Sequence, residues 1–185
     1  MTLYLVRHGR AAAGWGESLD PGLDDAGRTQ AATVAEALRH LAPCPLYTSP
    51  LQRTRETAAA FATRWGSDAK VDPRVGEIVA PDGADLAGRS VWLAGIMRGH
   101  WTDVEPELQD WRTRVVGALV ELGAAAPVTI VVTHFVAINA AVGAATGDSR
   151  VTCFLPDNCS VTVLEADGDR LRLVQRGADA STEVR

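Results

Sequence analysis

A 185-residue chain that is 46% hydrophobic and 22% charged can bury one ordinary core without disulfides or metals to staple it. Its net charge of -5 argues against a broad nucleic-acid surface, which needs clustered positive charge, and no apolar run approaches the roughly 20 residues that span a bilayer. The opening "TLYLV" runs straight into charged residues, unlike a signal peptide, so the cytoplasm is the expected location.

In chain order, Thr2 to Val6 reads as a first strand, followed by the turn-rich "LDPGLDDAGR", where Asp24 or Asp25 can cap a helix. That helix places Ala31, Val34, Ala35 and Leu38 on one face. Leu46 to Thr48 is a short strand, and a second helix is expected at once, with Ser49 as N-cap, Pro50 in the first turn and Gln52 completing a capping box. Val71 to Ile78 is irregular. About 79–107 is an excursion from the sheet, mixing helical pattern with Gly, Pro and tryptophans.

A helix with Trp111, Val115, Ala118, Leu119 and Leu122 on one face follows, and "PVTIVVTH" is the clearest buried parallel strand. "FVAINAAVGAATG" returns as a helix ending at Gly147. Two late strands, Asn158 to Glu165 and Arg170 to Gln175, are joined by "ADGD". This alternation predicts an α/β fold, a three-layer α/β/α sandwich on a mostly parallel sheet. One domain over 1–176 and a loose tail over 177–185 complete the expected organisation. Cys44, Cys153 and Cys159 match neither a disulfide framework nor a zinc site and are expected to be buried thiols.

Ligands of open parallel sheets bind beyond the carboxyl ends of the strands. Three such ends carry chemistry here: the first delivers Arg7, His8 and Arg10, the second leads to Ser49 and Arg53, and the third delivers His134. Guanidinium forks bind phosphate oxygens in bidentate fashion, and positive charge stabilises a transferring phosphoryl group. The arginines should also keep one histidine neutral and nucleophilic. Nothing in this set demands a metal or cofactor.

"LVRHG" (Leu5 to Gly9), "SPLQRTRETA" (Ser49 to Ala58) and "VVTHF" (Val131 to Phe135), with "PGLDDAGRTQA" and "DNCSVTVL", resemble the histidine phosphatase superfamily, the phosphoglycerate mutase-like proteins. The resemblance implies that His8 becomes phosphohistidine and that Arg7, Arg53 and His134 form the phosphate pocket. It also implies an acid that protonates the leaving oxygen and then activates water. Glu77 in "RVGEI" stands where that acid is expected, with Asp82 and Asp85 as alternatives because "VAPDGAD" replaces a Trp-Glu-Gly element common in the family. Gly14 stands near a frequent asparagine, and Phe135 and Val136 replace a common glycine pair.

Arg10, Trp92 and Phe135 are carried as substrate-facing candidates, although Trp92, Trp101 and Trp111 are read first as core anchors. Arg55 is read as surface charge, Arg89 and Arg98 as solvated helix-surface charge with contact to an additional anionic group as the alternative, and His40 as a solvated helix-end cation. The expected activity is metal-independent hydrolysis of a phosphomonoester or phosphoramidate, of the histidine acid phosphatase-like kind. The alternatives are mutase-type phosphoryl transfer and a phosphate-binding regulator without turnover. The expected partner is a small phosphorylated metabolite or a phosphohistidine protein, not nucleic acid or membrane; a homodimer through the late strand stays open.

Overall fold

The computed structural model describes residues 1–14, 16–80 and 85–180. Its elements are β1 (Thr2–Arg7), α1 (Asp25–Ala37), β2 (Leu46–Thr48), α2 (Gln52–Trp65), β3 (Lys70–Val71), α3 (Leu86–Met97), α4 (Pro106–Ala124), β4 (Val128–Thr133), α5 (Phe135–Thr146), β5 (Val161–Asp167) and β6 (Arg170–Gln175). The strands form one sheet in the order β3-β2-β4-β1-β5-β6. β3, β2, β4 and β1 run parallel, and β5 and β6 add an antiparallel edge. This is the expected α/β sandwich with a mostly parallel sheet.

Period-two alternation divides the core between the two faces of the sheet. Leu3 and Leu5 of β1 and Val131 of β4 pack with Val115, Leu119 and Leu122 of α4 and Ile138 of α5. Val6, Ile130 and Val132 pack on the opposite face with Val34 and Ala35 of α1 and Phe61 of α2. A third cluster joins Leu93 of α3, Trp101, Val104 and Leu108 to Phe135 and Val136 of α5, tying the excursion to the sheet.

Local chemistry explains most boundaries. Asp24 caps α1, its Oδ1 accepting the Gly27 N–H at 2.7 Å. Gly66 and Gly147 end α2 and α5 at φ 67° and 73°, in left-handed backbone that costs glycine nothing.

Four expectations need correction. α2 begins at Gln52 rather than on a Ser49 cap: Asp20 Oδ1 takes the Gln52 N–H at 2.8 Å, while the Ser49 hydroxyl reaches only the Leu51 N–H, at 3.2 Å, and His134. β5 begins at Val161 rather than Asn158, since Cys159 adopts φ 56° and breaks the extended backbone. Gly177–Ala180 is not loose: Asp157 N–H donates to Ala178 O at 2.9 Å and Ala180 N–H to Leu155 O at 2.7 Å. Residues 181–185 of the expected tail lie outside the described residues. The three cysteines are free, and each is half-buried rather than enclosed.

The segment after β1 lies directly on the first turn of α1. A Cβ added to Gly27 would stand 2.1 Å from Arg10 O, and one added to Gly9 would stand 2.5 Å from Gly27 O; both obstacles are backbone that cannot rotate away. Gly27→Ala is therefore expected to cost about 1–3 kcal/mol by overpacking. A urea unfolding midpoint equal to that of the unaltered protein would refute this.

Candidate active site

Strand ends bring the charged residues together. β1 pairs with β4 so that Arg7 lies opposite Thr133, and the next residues of the two strands, His8 and His134, leave the sheet side by side with ring centroids 5.3 Å apart. The backbone around His8 is tied on three sides. His8 N–H donates to Thr133 O at 3.0 Å, Gly9 N–H donates to Thr57 Oγ1 on α2 at 3.0 Å, and Asn158 Nδ2 donates to His8 O at 3.0 Å.

The His8 ring has a defined tautomer. Nδ1 donates to Gly9 O at 2.8 Å, which leaves Nε2 with its lone pair, and Arg53 Nε points an N–H at that nitrogen from 3.2 Å. Burial first, then the charges of Arg7 and Arg53, hold the His8 pKa well below 6.5. His8 is therefore a neutral imidazole at pH 7, and Nε2 is the ring nitrogen that carries the lone pair a nucleophile needs. His134 is likewise held neutral, by burial and then by Arg53, His8 and Arg7. Its Nε2 lies 2.7 Å from Ser49 Oγ.

Arg7 is buried, donates from Nη1 to Pro156 O at 2.7 Å and lies over the Phe135 ring. Burial pulls its pKa down to about 10, which leaves it a full cation at neutral pH. Arg53 enters from the first turn of α2, also buried, with Nη1 3.9 Å from Asp20. Glu77 reaches the same place from the loop before α3. Its Oε1 accepts from Ile78 N at 3.0 Å and its Oε2 from Val136 N, in the first turn of α5, at 3.2 Å. Those bonds and the two arginines favour the carboxylate, yet burial outweighs them and raises the pKa to about 7. Glu77 can thus give or take a proton near neutral pH.

All of these except the fully buried His134 open into a crevice of about 1220 Å³. Arg7, His8, Arg53 and Glu77 line it, with Gly14, Glu17, Arg89, Ser90, Asp157 and Asn158 further along its walls. Among the described residues, no group of three or more His, Cys, Asp or Glu side chains is arranged to hold a metal ion, and no helix is long and apolar enough to cross a membrane.

The expected substrate-facing residues fare differently. Arg10 lines the crevice but is tied to Asp24 at 2.6 Å. Trp92 and Phe135 pack into the third apolar cluster and are not among the crevice-lining residues, so the substrate-facing expectation is corrected for both, while Trp92 is the core anchor it was read first to be. Trp101 and Trp111 stack on one another at 6.0 Å. Of the alternative acids, Asp82 lies outside the described residues, and Asp85 is committed to capping α3 through the Gly88 N–H at 2.7 Å. Asp20, Thr57 and Asn158 escaped sequence reasoning. Asp20 lies in a turn-rich stretch, and Asn158 and Thr57 lie within motifs that carry the family resemblance without a role of their own.

The model of the histidine phosphatase superfamily (branch 1) matches residues 3–179. A glucosyl-3-phosphoglycerate phosphatase of Mycolicibacterium vanbaalenii is 35% identical over 79 residues, covering 40% of this chain and 35% of its own length. A probable phosphoglycerate mutase, GpmB, of Cronobacter sakazakii is 32% identical over 124 residues, covering 63% of this chain and 50% of its own. The chain thus spans half or less of these curated relatives. The structure of a mycobacterial glucosyl-3-phosphoglycerate phosphatase complexed with VO3 superposes with a TM-score of 0.76 and 27% identity, covering 96% of this chain and 99% of that one. YhfR of Bacillus stearothermophilus, 24% identical, shares the fold with a TM-score of 0.73, covering 93% and 94%.

The position of Glu77 has a thermodynamic consequence. Its folded pKa, about 7, lies above the ordinary 4.5, so its contribution to stability is fully present below pH 4.5 and is lost as pH rises through 7. The gap corresponds to about 3 kcal/mol. His8 and His134 act oppositely, because their depressed pKa values withdraw stability as pH falls below 6.5. Subtracting the urea-unfolding profile of Glu77→Gln from that of the unaltered protein is expected to isolate a decline between pH 4.5 and 7; two parallel profiles would contradict it.

Proposed function

The chain belongs to the histidine phosphatase superfamily (branch 1), and on that premise we propose that it hydrolyses a phosphomonoester through a phosphohistidine on His8. The observation that carries this reading is the His8 ring itself. It is neutral, its Nδ1–H is occupied by Gly9 O, and its Nε2 lone pair lies beside two buried arginines and a carboxyl group that titrates near 7.

In the first step Nε2 attacks phosphorus in line with the ester oxygen, the P–O bond breaks, and Glu77 delivers its proton to the departing alkoxide. Arg7, Arg53 and His134 hold the equatorial oxygens, where charge accumulates. In the second step a water attacks phosphorus, Glu77 takes its proton, and the N–P bond breaks to release inorganic phosphate and neutral His8. A carboxyl group with a pKa near the working pH suits both proton transfers. The charge that a metal supplies to phosphoryl transfer in other enzymes is here assigned to the two guanidinium groups, which makes the activity an acid phosphatase-like, metal-independent one.

The crevice exceeds the roughly 300–1,000 Å³ of ordinary small-molecule pockets, so the substrate is assigned a sizeable organic part. Leu19, Val79 and Val91 line it while 65%, 68% and 75% exposed, an aliphatic rim open to water. Access of water favours hydrolysis over retention of the phosphoryl group for return to a second oxygen. A small phosphorylated metabolite fits this shape better than a phosphohistidine protein, and the cytoplasm remains the proposed location.

Phosphate release from nitrophenyl phosphate is expected to survive a chelator and to vanish in His8→Ala; equal release by both proteins would overturn the role of His8. Glu77→Gln is expected to lower kcat/KM for an alkyl phosphate about 10²–10⁴-fold, while kcat/KM for nitrophenyl phosphate, whose leaving group needs no proton, falls far less. Equal losses on the two substrates would remove Glu77 as the acid.

A further inference from the structure

Ser49, directly after β2, has a fully buried hydroxyl that no step of the proposed reaction uses. Its backbone is immobilised: the N–H donates to Val132 O at 3.2 Å, and the carbonyl accepts from the hydroxyls of Thr48 at 3.1 Å and Thr54 at 3.0 Å. Its Oγ accepts the Leu51 N–H at 3.2 Å and lies 2.7 Å from His134 Nε2. The other nitrogen of that ring, Nδ1, is buried and has no partner among the described residues.

A serine hydroxyl has one proton to give and two lone pairs to receive. Leu51 N–H fills one lone pair, and the remaining partner of Oγ is Nε2. Were Nε2 to carry the ring proton and donate it, the hydroxyl proton would be buried without an acceptor. Nδ1 would then be a buried lone pair with no donor to meet it, in a ring 5.3 Å from that of His8, and it would repel any phosphoryl oxygen brought to it. With the hydroxyl donating instead, every group is satisfied except an Nδ1–H, which is the donor an arriving oxyanion needs. The buried surroundings of the ring, with Arg7, Arg53 and His8 as its charged neighbours, disfavour a third state with both nitrogens protonated.

We propose that Ser49 is a positioning residue that locks His134 in the Nδ1–H form and so makes it a dedicated donor to the phosphoryl group. The site would then hold two neutral imidazoles of the same tautomer facing opposite ways. Gly9 O occupies Nδ1–H of His8 and frees its Nε2 to attack, whereas Ser49 occupies Nε2 of His134 and frees its Nδ1–H to donate. The functional half of this inference rests on the phosphatase reading; the tautomer itself does not.

The test is side-chain ¹H–¹⁵N correlation spectroscopy of the full chain without substrate, with His134 assigned by the signals lost in His134→Asn. An Nδ1–H ring in the unaltered protein that shifts to Nε2–H in Ser49→Ala is expected. Ser49→Ala should also lower kcat on nitrophenyl phosphate and weaken inhibition by inorganic phosphate, each by about 10- to 100-fold, as loss of a supporting contact commonly does. An Nε2–H ring in the unaltered protein, or a tautomer unmoved in a folded Ser49→Ala, overturns the proposal. The unaltered protein decides the first point even where the variant does not fold. An Nδ1–H ring dependent on Ser49 in a protein that releases no phosphate would leave the tautomer standing and sink the phosphatase reading alone.

Discussion

The in-register parallel pairing of β1 with β4 is the constraint from which the rest of the site descends. Because Arg7 lies opposite Thr133, the following residues, His8 and His134, emerge at one level from neighbouring strands. Period two then sorts the side chains. Val6 and Val132 share the face covered by α1 and α2, so His8 and His134 project to the side where Arg53 and Ser49 stand, while Arg7 falls on the α5 side, over Phe135. A slip of one residue would send one ring to the opposite face and dissolve the pair. The long apolar run of β4 and the buried Leu3 and Leu5 of β1, which forbid such a slip, are thus as much part of the site as the rings they aim.

Burial decides the protonation of everything gathered there. Removing water from two guanidinium groups and two imidazoles disfavours every cation, and the groups yield according to their intrinsic basicity. Arginine, with the highest pKa, stays charged; histidine gives up its proton; and Glu77, for which burial disfavours the anion, keeps its proton to about pH 7 despite two backbone donors and two nearby arginines. The result is a set of fixed positive charges around neutral nucleophilic nitrogen, which suits an arriving dianion.

Features set by near neighbours were legible in the sequence. Leu46–Thr48, the Asp24 cap, the Gly147 stop and the β-branched run of β4 all follow from residues within a few positions of one another. What tertiary approach decides was not legible. Ser49 looks like an N-cap, but the hydroxyl meets His134, 85 residues away, and α2 takes its cap from Asp20 instead. Glu77 has no periodic pattern around it and was found only through resemblance. A large apolar ring covers a core as well as it covers a ligand, so for Trp92 and Phe135 only the packing of the third cluster tells the two apart, in favour of the core-anchor reading of Trp92 and against a substrate-facing Phe135. Thr57 and Asn158, which hold the Gly9 N–H and the His8 carbonyl, act on backbone and leave no trace in the pattern of side chains.

The crevice also divides its labour by depth. Its floor consists of strand ends and first helical turns whose backbone groups are bonded to one another, so the positions of Arg7, His8 and Arg53 are set by the sheet and by α2 rather than by any ligand. Its rim comes from connecting segments: residues 10–14, 16–19 and 21 after β1, Ile78 and Val79, and the start of α3 at Ala87 to Val91. Segments of this kind can vary in length and side chain without disturbing the register of β1 on β4. On the proposed function, a rigid floor that handles the phosphoryl group, whatever it is attached to, can therefore serve many rims. In this chain the rim carries exposed Leu19, Val79 and Val91 beside Arg89 and Glu17, and under the proposed phosphatase reading those residues are where one organic group would be told from another, since the floor would meet only what all phosphomonoesters share.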